Sequence, residues 1–104
     1  SSSVKMIMEL VSGAQAGRQI ECTIYKSAIW GRSKEMCDVS FDDPRISKQH
    51  CVFEVRECGV VLSDLNSHNG TYVNGIKIPA EHLLHVGDTL QLGNIVLRVI
   101  QLAR

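Results

Sequence analysis

Residues 51–62 read Cys51-Val52-Phe53-Glu54-Val55-Arg56-Glu57-Cys58-Gly59-Val60-Val61-Leu62. Cys51, Phe53 and Val55 alternate with Val52, Glu54 and Arg56, a period of two that sends successive side chains to opposite faces of a strand. Cys58-Gly59 is a turn signal, and Val60 to Leu62 is a second run of β-branched and aliphatic residues. The same pattern repeats outward in both directions. Val4, Met6, Met8 and Leu10 alternate with Lys5, Ile7 and Glu9, and Ile20, Cys22 and Ile24 alternate with Glu21 and Thr23. Ile95, Leu97 and Val99 alternate with Val96, Arg98 and Ile100, a strand apolar on both sides. Turn signals separate these runs at Gly13 to Gly17, Gly31, Asn69-Gly70, Asn74-Gly75, Gly87-Asp88 and Gly93-Asn94. Short strands with turns at such intervals predict an all-β antiparallel sandwich. The only helix-like stretch, Ala80 to Val86, is too short to form a layer.

The 104 residues hold one domain, residues 1–104, because roughly 150 residues per domain leaves no room for two cores. The chain starts without Met, and the expectation is a domain cut from a longer protein, with residues 1–5 a tag or linker remnant. Composition is that of a globular protein, 44% hydrophobic and 21% charged, with eleven basic residues balanced by eleven acidic ones. That balance argues against non-specific nucleic-acid binding, which relies on Lys and Arg neutralising phosphates. No apolar run approaches the ~18 residues of a membrane span, so no membrane partner is expected. The first ten residues do not read as a secretory signal, since Glu9 interrupts the apolar stretch.

Cys22, Cys37, Cys51 and Cys58 contain no C-x-x-C pair and match no common zinc spacing. Two disulfides are open to a secreted chain, but the core needs no such staple, so reduced and mostly buried thiols are expected. They fit an intracellular setting, cytoplasmic or nuclear. His82 and His85 are able to meet on one helical turn but have no carboxylate at a zincin-like spacing, so no metal site and no cofactor are expected.

Sandwich loops carry function because rigid sheets position them. Three loops stand out. Trp30-Gly31-Arg32-Ser33 presents a guanidinium fork suited to phosphate or carboxylate, or else a surface Arg paired with Glu35 or Asp38. Asp43-Pro44-Arg45-Ile46-Ser47-Lys48-Gln49-His50 offers a hydroxyl and an ammonium to an anion, and a neutral His50 imidazole is placed to hold the loop backbone. Ser47 and His50 also invite a nucleophile-and-base reading, but no oxyanion-hole motif or G-x-S-x-G elbow accompanies them. Asp64-Leu65-Asn66-Ser67-His68-Asn69-Gly70-Thr71-Tyr72-Val73-Asn74-Gly75 contains two Asn-Gly pairs. Both read as type I′ turns, and the Asn69 and Asn74 amides are also suited to an extended peptide backbone.

Gly31-Arg32, Ser47-x-x-His50, and Asp64-Leu65 leading to Asn69-Gly70-Thr71-x-x-Asn74-Gly75, in this order and spacing, resemble the forkhead-associated (FHA) domain. Gly87-Asp88-Thr89-Leu90-Gln91-Leu92-Gly93 is similar to the family's closing motif. The resemblance extends from about Met6 to Val99. It implies an eleven-stranded β-sandwich, SMAD-like, with binding loops at one end. It implies non-catalytic binding of phosphothreonine in an extended segment of a partner protein, not an enzyme, within a larger signalling protein.

Carried over by position, Arg32 and Ser47 contact the phosphate, and Lys48 joins them. Asn69 bonds the ligand main chain. His68 stands where the family commonly has Ser or Thr, and offers an imidazole donor instead. Arg45 lies where members often select the residue three places after the phosphothreonine, and an acidic residue is expected there. Gly31, His50, Gly70 and Asn74 shape the loops. Leu10 to Arg18 resembles the opening of many bacterial members, which favours a cytoplasmic setting. The rival reading is a scaffolding or oligomerisation domain of the same fold that binds a protein partner independently of phosphate.

Overall fold

A computed structural model describes residues 3–104. Eleven strands form two sheets facing one another. They are β1 (Val4–Leu10), β2 (Gln19–Ile24), β3 (Ser27–Gly31), β4 (Val39–Ser40), β5 (Cys51–Arg56), β6 (Gly59–Asp64), β7 (Thr71–Val73), β8 (Ile76–Lys77), β9 (Glu81–Leu83), β10 (Thr89–Leu92) and β11 (Ile95–Ala103). One sheet runs β2-β1-β11-β10-β7-β8 and the other β4-β3-β5-β6-β9. The architecture is the all-β sandwich expected from the alternation.

Three details differ from the expectation. The pairing is antiparallel except between β3 and β4, where Trp30 meets Val39 and Gly31 meets Ser40 in parallel. Asp38 makes that possible by closing the intervening loop: its carboxylate accepts the Ile29 N–H at 2.7 Å and its own N–H donates to the Ile29 carbonyl. The helix-like stretch Ala80 to Val86 is instead β9 and a turn, because Glu81, His82 and Leu83 pair with Ser63, Leu62 and Val61. Val4 and Lys5, read above as part of a remnant, open β1, with Val4 buried against the core. Ser1 and Ser2 of that remnant lie outside the described residues.

The inward faces supply the core. Met6, Met8, Leu97 and Val99 come from one sheet and Trp30, Phe53 and Leu62 from the other, all buried. Trp30 packs tilted on Phe53 with ring centroids 4.7 Å apart, and on Phe41 at 5.6 Å. Along β11 the inward set changes parity. Ile7 pairs with Gln101 but Met8 with Val99, so Ile100 is the extra residue of a bulge. The bulge brings Leu102 opposite Met6 and back onto the core, which a strict alternation would have sent outward. Cys22 and Cys51 are buried, Cys37 is half-buried and Cys58 is exposed, and all four are free thiols. Among the described residues no helix is long and apolar enough to cross a membrane.

Candidate functional site

The three loops singled out in the sequence meet at one end of the sandwich. They are residues 32–38 after β3, residues 41–50 before β5, and residues 65–70 between β6 and β7. The first two are in backbone contact. The Arg32 N–H donates to the Ser47 carbonyl at 2.9 Å and the Ser33 N–H to the Lys48 carbonyl at 3.1 Å. Gly31 permits that approach: a Cβ there would lie 2.4 Å from the Lys48 carbonyl oxygen and 2.8 Å from that of Ser47. Both obstacles are backbone, which yields far less than a flexible side chain. Gly31 is therefore required by close approach, not by a left-handed conformation.

Arg32 is exposed and pairs with neither Glu35 nor Asp38. Its Nε donates to the Ile46 carbonyl at 2.9 Å, which steadies the guanidinium; among the described residues its two terminal nitrogens have no partner. Ser47 Oγ accepts the His68 N–H at 2.9 Å. A hydroxyl that accepts through a lone pair keeps its own proton to donate. Arg32 and Lys48 line an open basin of about 550 Å³ with Lys34, Ser33, Met36 and Glu35. Three cations against one carboxylate make it attractive to an anion. Lys34 is a member of this set that sequence reasoning did not single out.

His50 is fully buried at the start of β5. Its Nδ1 accepts the Ser47 N–H at 3.1 Å, so its proton sits on Nε2, which donates to the Gly70 carbonyl at 2.8 Å. One imidazole thus fixes the second loop relative to the third. The nucleophile-and-base reading fails on the same geometry, because the imidazole bonds the backbone of Ser47 and not its hydroxyl.

Asn69 closes the third loop onto the second, its Nδ2 donating to the Arg45 carbonyl at 2.8 Å. Among the described residues its side-chain oxygen and remaining N–H have no other partner. Asn69-Gly70 is not the type I′ turn expected: Gly70 alone has positive φ (86°), whereas Asn74 (53°) and Gly75 (81°) both do. The Asn74-Gly75 pair forms the β7–β8 hairpin. Asn74 does not join the loop cluster; it lies at the other end of the sandwich, bonded to Asp88 and Thr89. His68 contributes its backbone N–H, and its imidazole is exposed. Arg45, exposed, lines a second depression of about 320 Å³ with Asn69, Tyr72, Gln91 and Gly93.

Two carboxylates hold these loops, and sequence reasoning gave neither a role. Asp43 is buried; it accepts the N–H groups of Arg45 and Asn94, each at 2.9 Å, and so ties the second loop to the β10–β11 turn. Asp64 accepts from the Ser67 N–H and hydroxyl and from the Thr71 hydroxyl. The signal was legible: an Asp followed two or three residues later by the N–H it caps is the mark of an Asx-type turn. Partial burial pushes the Asp64 carboxyl up, but hydrogen bonds from Ser67 and Thr71 outweigh it and hold it below the ordinary 3.8.

A sequence model of the FHA domain matches residues 29–93. The chain belongs to the FHA-domain family. Among curated proteins it is 39% identical over 66 residues to mouse proliferation marker protein Ki-67, covering 64% of this chain and 2% of that one. It is 36% identical over 63 residues to the oxoglutarate dehydrogenase inhibitor of Corynebacterium glutamicum, 61% of this chain and 43% of that one. The match thus spans less than half of each relative's length. Among solved structures, the FhaA FHA domain complexed with the intracellular domain of Rv3910 superposes with a TM-score of 0.77 at 30% identity, over 90% of this chain and 98% of that one. The FHA domain of the CT664 protein from Chlamydia trachomatis superposes at 0.81 with 24% identity, over 93% and 97%, a likeness of fold.

Two outcomes follow from the loop geometry. Gly31→Ala forces the Ser47–Lys48 backbone away and should cost about 1–3 kcal/mol, read as a lower urea midpoint at unchanged slope. Asp64 has a folded-state pKa below its ordinary value, so its contribution to stability is complete above pH 3.8 and is lost as pH falls through the folded value. The stability gap between the parent and Asp64→Asn should therefore narrow as pH drops below 3.8, measured by urea unfolding at stepped pH.

Proposed function

We propose that this domain binds a phosphothreonine-bearing extended segment of a partner protein. The observation that carries the reading is the donor set at one loop end: a guanidinium steadied through Nε, and a Ser47 hydroxyl whose lone pair is already engaged by the His68 N–H. Phosphothreonine brings about −1.5 to −2 charge and strong acceptor oxygens. Arg32 and Ser47 bond the phosphate, Lys48 adds an ammonium, and Lys34 adds long-range attraction. Charge-assisted bonds contribute roughly 1.5–3 kcal/mol each, enough to separate a phosphorylated ligand from its unmodified copy. Asn69, already bonded to the Arg45 carbonyl, presents its free amide groups to the ligand main chain.

The comparisons support this reading. A solved structure 29% identical to this chain comes from a study of phosphothreonine-dependent FHA domain interactions. Burying little beyond the phosphate, the site should bind at roughly micromolar strength, about −8 kcal/mol. Residues after the phosphothreonine run over Arg45 and the depression beside Asn69, where an exposed guanidinium favours an acidic side chain. The domain acts without catalysis, as a module of a larger signalling protein. Its four free thiols fit an intracellular setting, cytoplasmic or nuclear.

A phosphothreonine peptide library titrated beside its unphosphorylated copy tests the proposal. Binding should require the phosphate and fall at least about tenfold in Arg32→Ala, the loss of one charge-assisted bond. Equal binding of the two pools would overturn it and favour a phosphate-independent scaffolding role. In the same library Arg45→Glu should exchange an acidic for a basic preference three places after the phosphothreonine; an unaltered preference removes Arg45 from selection.

A further inference from the structure

At the end of the sandwich opposite the phosphate loops, three residues converge that the sequence did not connect. β9 pairs antiparallel with β6, and the Leu84 N–H reaches the Val60 carbonyl, so the chain after His82 runs away from Asp64 and the loops around it. There it turns through His85, Val86 and Gly87 into Asp88. His82 Nε2 lies 2.9 Å and His85 Nδ1 3.9 Å from Asp88 Oδ2. One ligand atom from each of the three residues falls within 4.8 Å of the others. The carboxylate that helical spacing did not provide comes from a tight turn, His85 to Asp88.

We propose that His82, His85 and Asp88 bind a divalent cation of the zinc class. Tetrahedral zinc with nitrogen and oxygen donors near 2.0–2.1 Å sets its ligand atoms about 3.3 Å apart, and the two measured separations straddle that value. Two imidazoles and one carboxylate suit zinc, and suit magnesium or calcium poorly, since those take oxygen ligands.

The ligands are held in advance. The Asp88 N–H donates to the His85 carbonyl, the Gly87 N–H to the Val99 carbonyl, and the Val99 N–H to the Asp88 carbonyl, so the turn is fastened to β11. The Asp88 carboxylate also accepts the His85 N–H at 2.9 Å and the Asn74 amide at 3.0 Å. Those bonds orient the carboxylate as outer partners orient metal ligands elsewhere. Cation binding at Nε2 requires the neutral His82 ring to carry its proton on Nδ1 instead, by exchange with solvent, and keeps these supports. His85, 69% exposed, leaves the remaining coordination positions to water.

The test is calorimetric titration of the intact, reduced chain with Zn²⁺ alone, with Co²⁺ as a spectroscopic probe. One site per chain is expected, with a Co²⁺ spectrum free of a thiolate charge-transfer band. His82→Ala and His85→Ala should each weaken binding by at least the about 10–100-fold that loss of an outer partner costs. His85→Ala removes only an exposed ring, so an unchanged sheet signal in circular dichroism separates a lost ligand from a lost fold. The proposal is overturned by no saturation below about 1 mM, by affinity unchanged in both variants, or by a thiolate band that moves the ion to a cysteine.

Discussion

The buried imidazole of His50 is the constraint on which the loop end depends. Its Nδ1 holds the Ser47 backbone and its Nε2 holds the Gly70 carbonyl. Its own N–H reaches the Trp30 carbonyl and its carbonyl takes the Leu65 N–H. One residue therefore sets the positions of all three loops relative to the Trp30 and Phe53 core. A neutral imidazole has the right shape for this. It must be an acceptor at one end and a donor at the other, some ring-width apart, and uncharged while bonded so. The close Gly31 approach and the Arg32 anchor on Ile46 then follow, because the Ser47 segment is where His50 holds it.

Carboxylates complete the scaffold and divide it into two ends. Asp43 and Asp64 stand behind the three loops and accept from backbone N–H and hydroxyl donors, so they organise the loops without lining the cationic basin. Asp88 does similar work at the far end, where hydrogen bonds from His82, His85 and Asn74 outweigh partial burial and keep its carboxyl below the ordinary 3.8. This division separates what each end does. The loop end has steadied cations and a poised hydroxyl; the far end has two imidazoles and a fixed carboxylate.

Much of this was legible in the sequence where local pattern and tertiary context agree. The β5–β6 hairpin follows from period two and Cys58-Gly59, and Asn74-Gly75 from the positive φ that both positions adopt. Where tertiary contacts decide, the sequence misled. Asn69-Gly70 has the composition of a hairpin turn, yet Asn69 is drawn to the Arg45 carbonyl and only Gly70 turns left-handed. Residues 80–86 have helical spacing, but Glu81 to Leu83 lie along the edge of β6, which captures them as β9. A two-residue β4, its parallel pairing and the β11 bulge leave no periodic trace. The loop cluster was legible through residue types; Lys34 was not, because a lysine in a polar loop carries no sign of which basin it faces.

Phosphate recognition by this loop end is tested most directly by phosphorus NMR of a library-selected phosphothreonine peptide, titrated in pH with and without the protein. Bonds from the Arg32 guanidinium and the Ser47 hydroxyl to a phosphate would favour its dianion. The bound phosphate should thus show its second ionisation below the free value of about 6, and Ser47→Ala should move it part of the way back. An ionisation unchanged on binding would mean that the phosphate stays in solvent while the peptide docks elsewhere, and would contradict recognition through these loops.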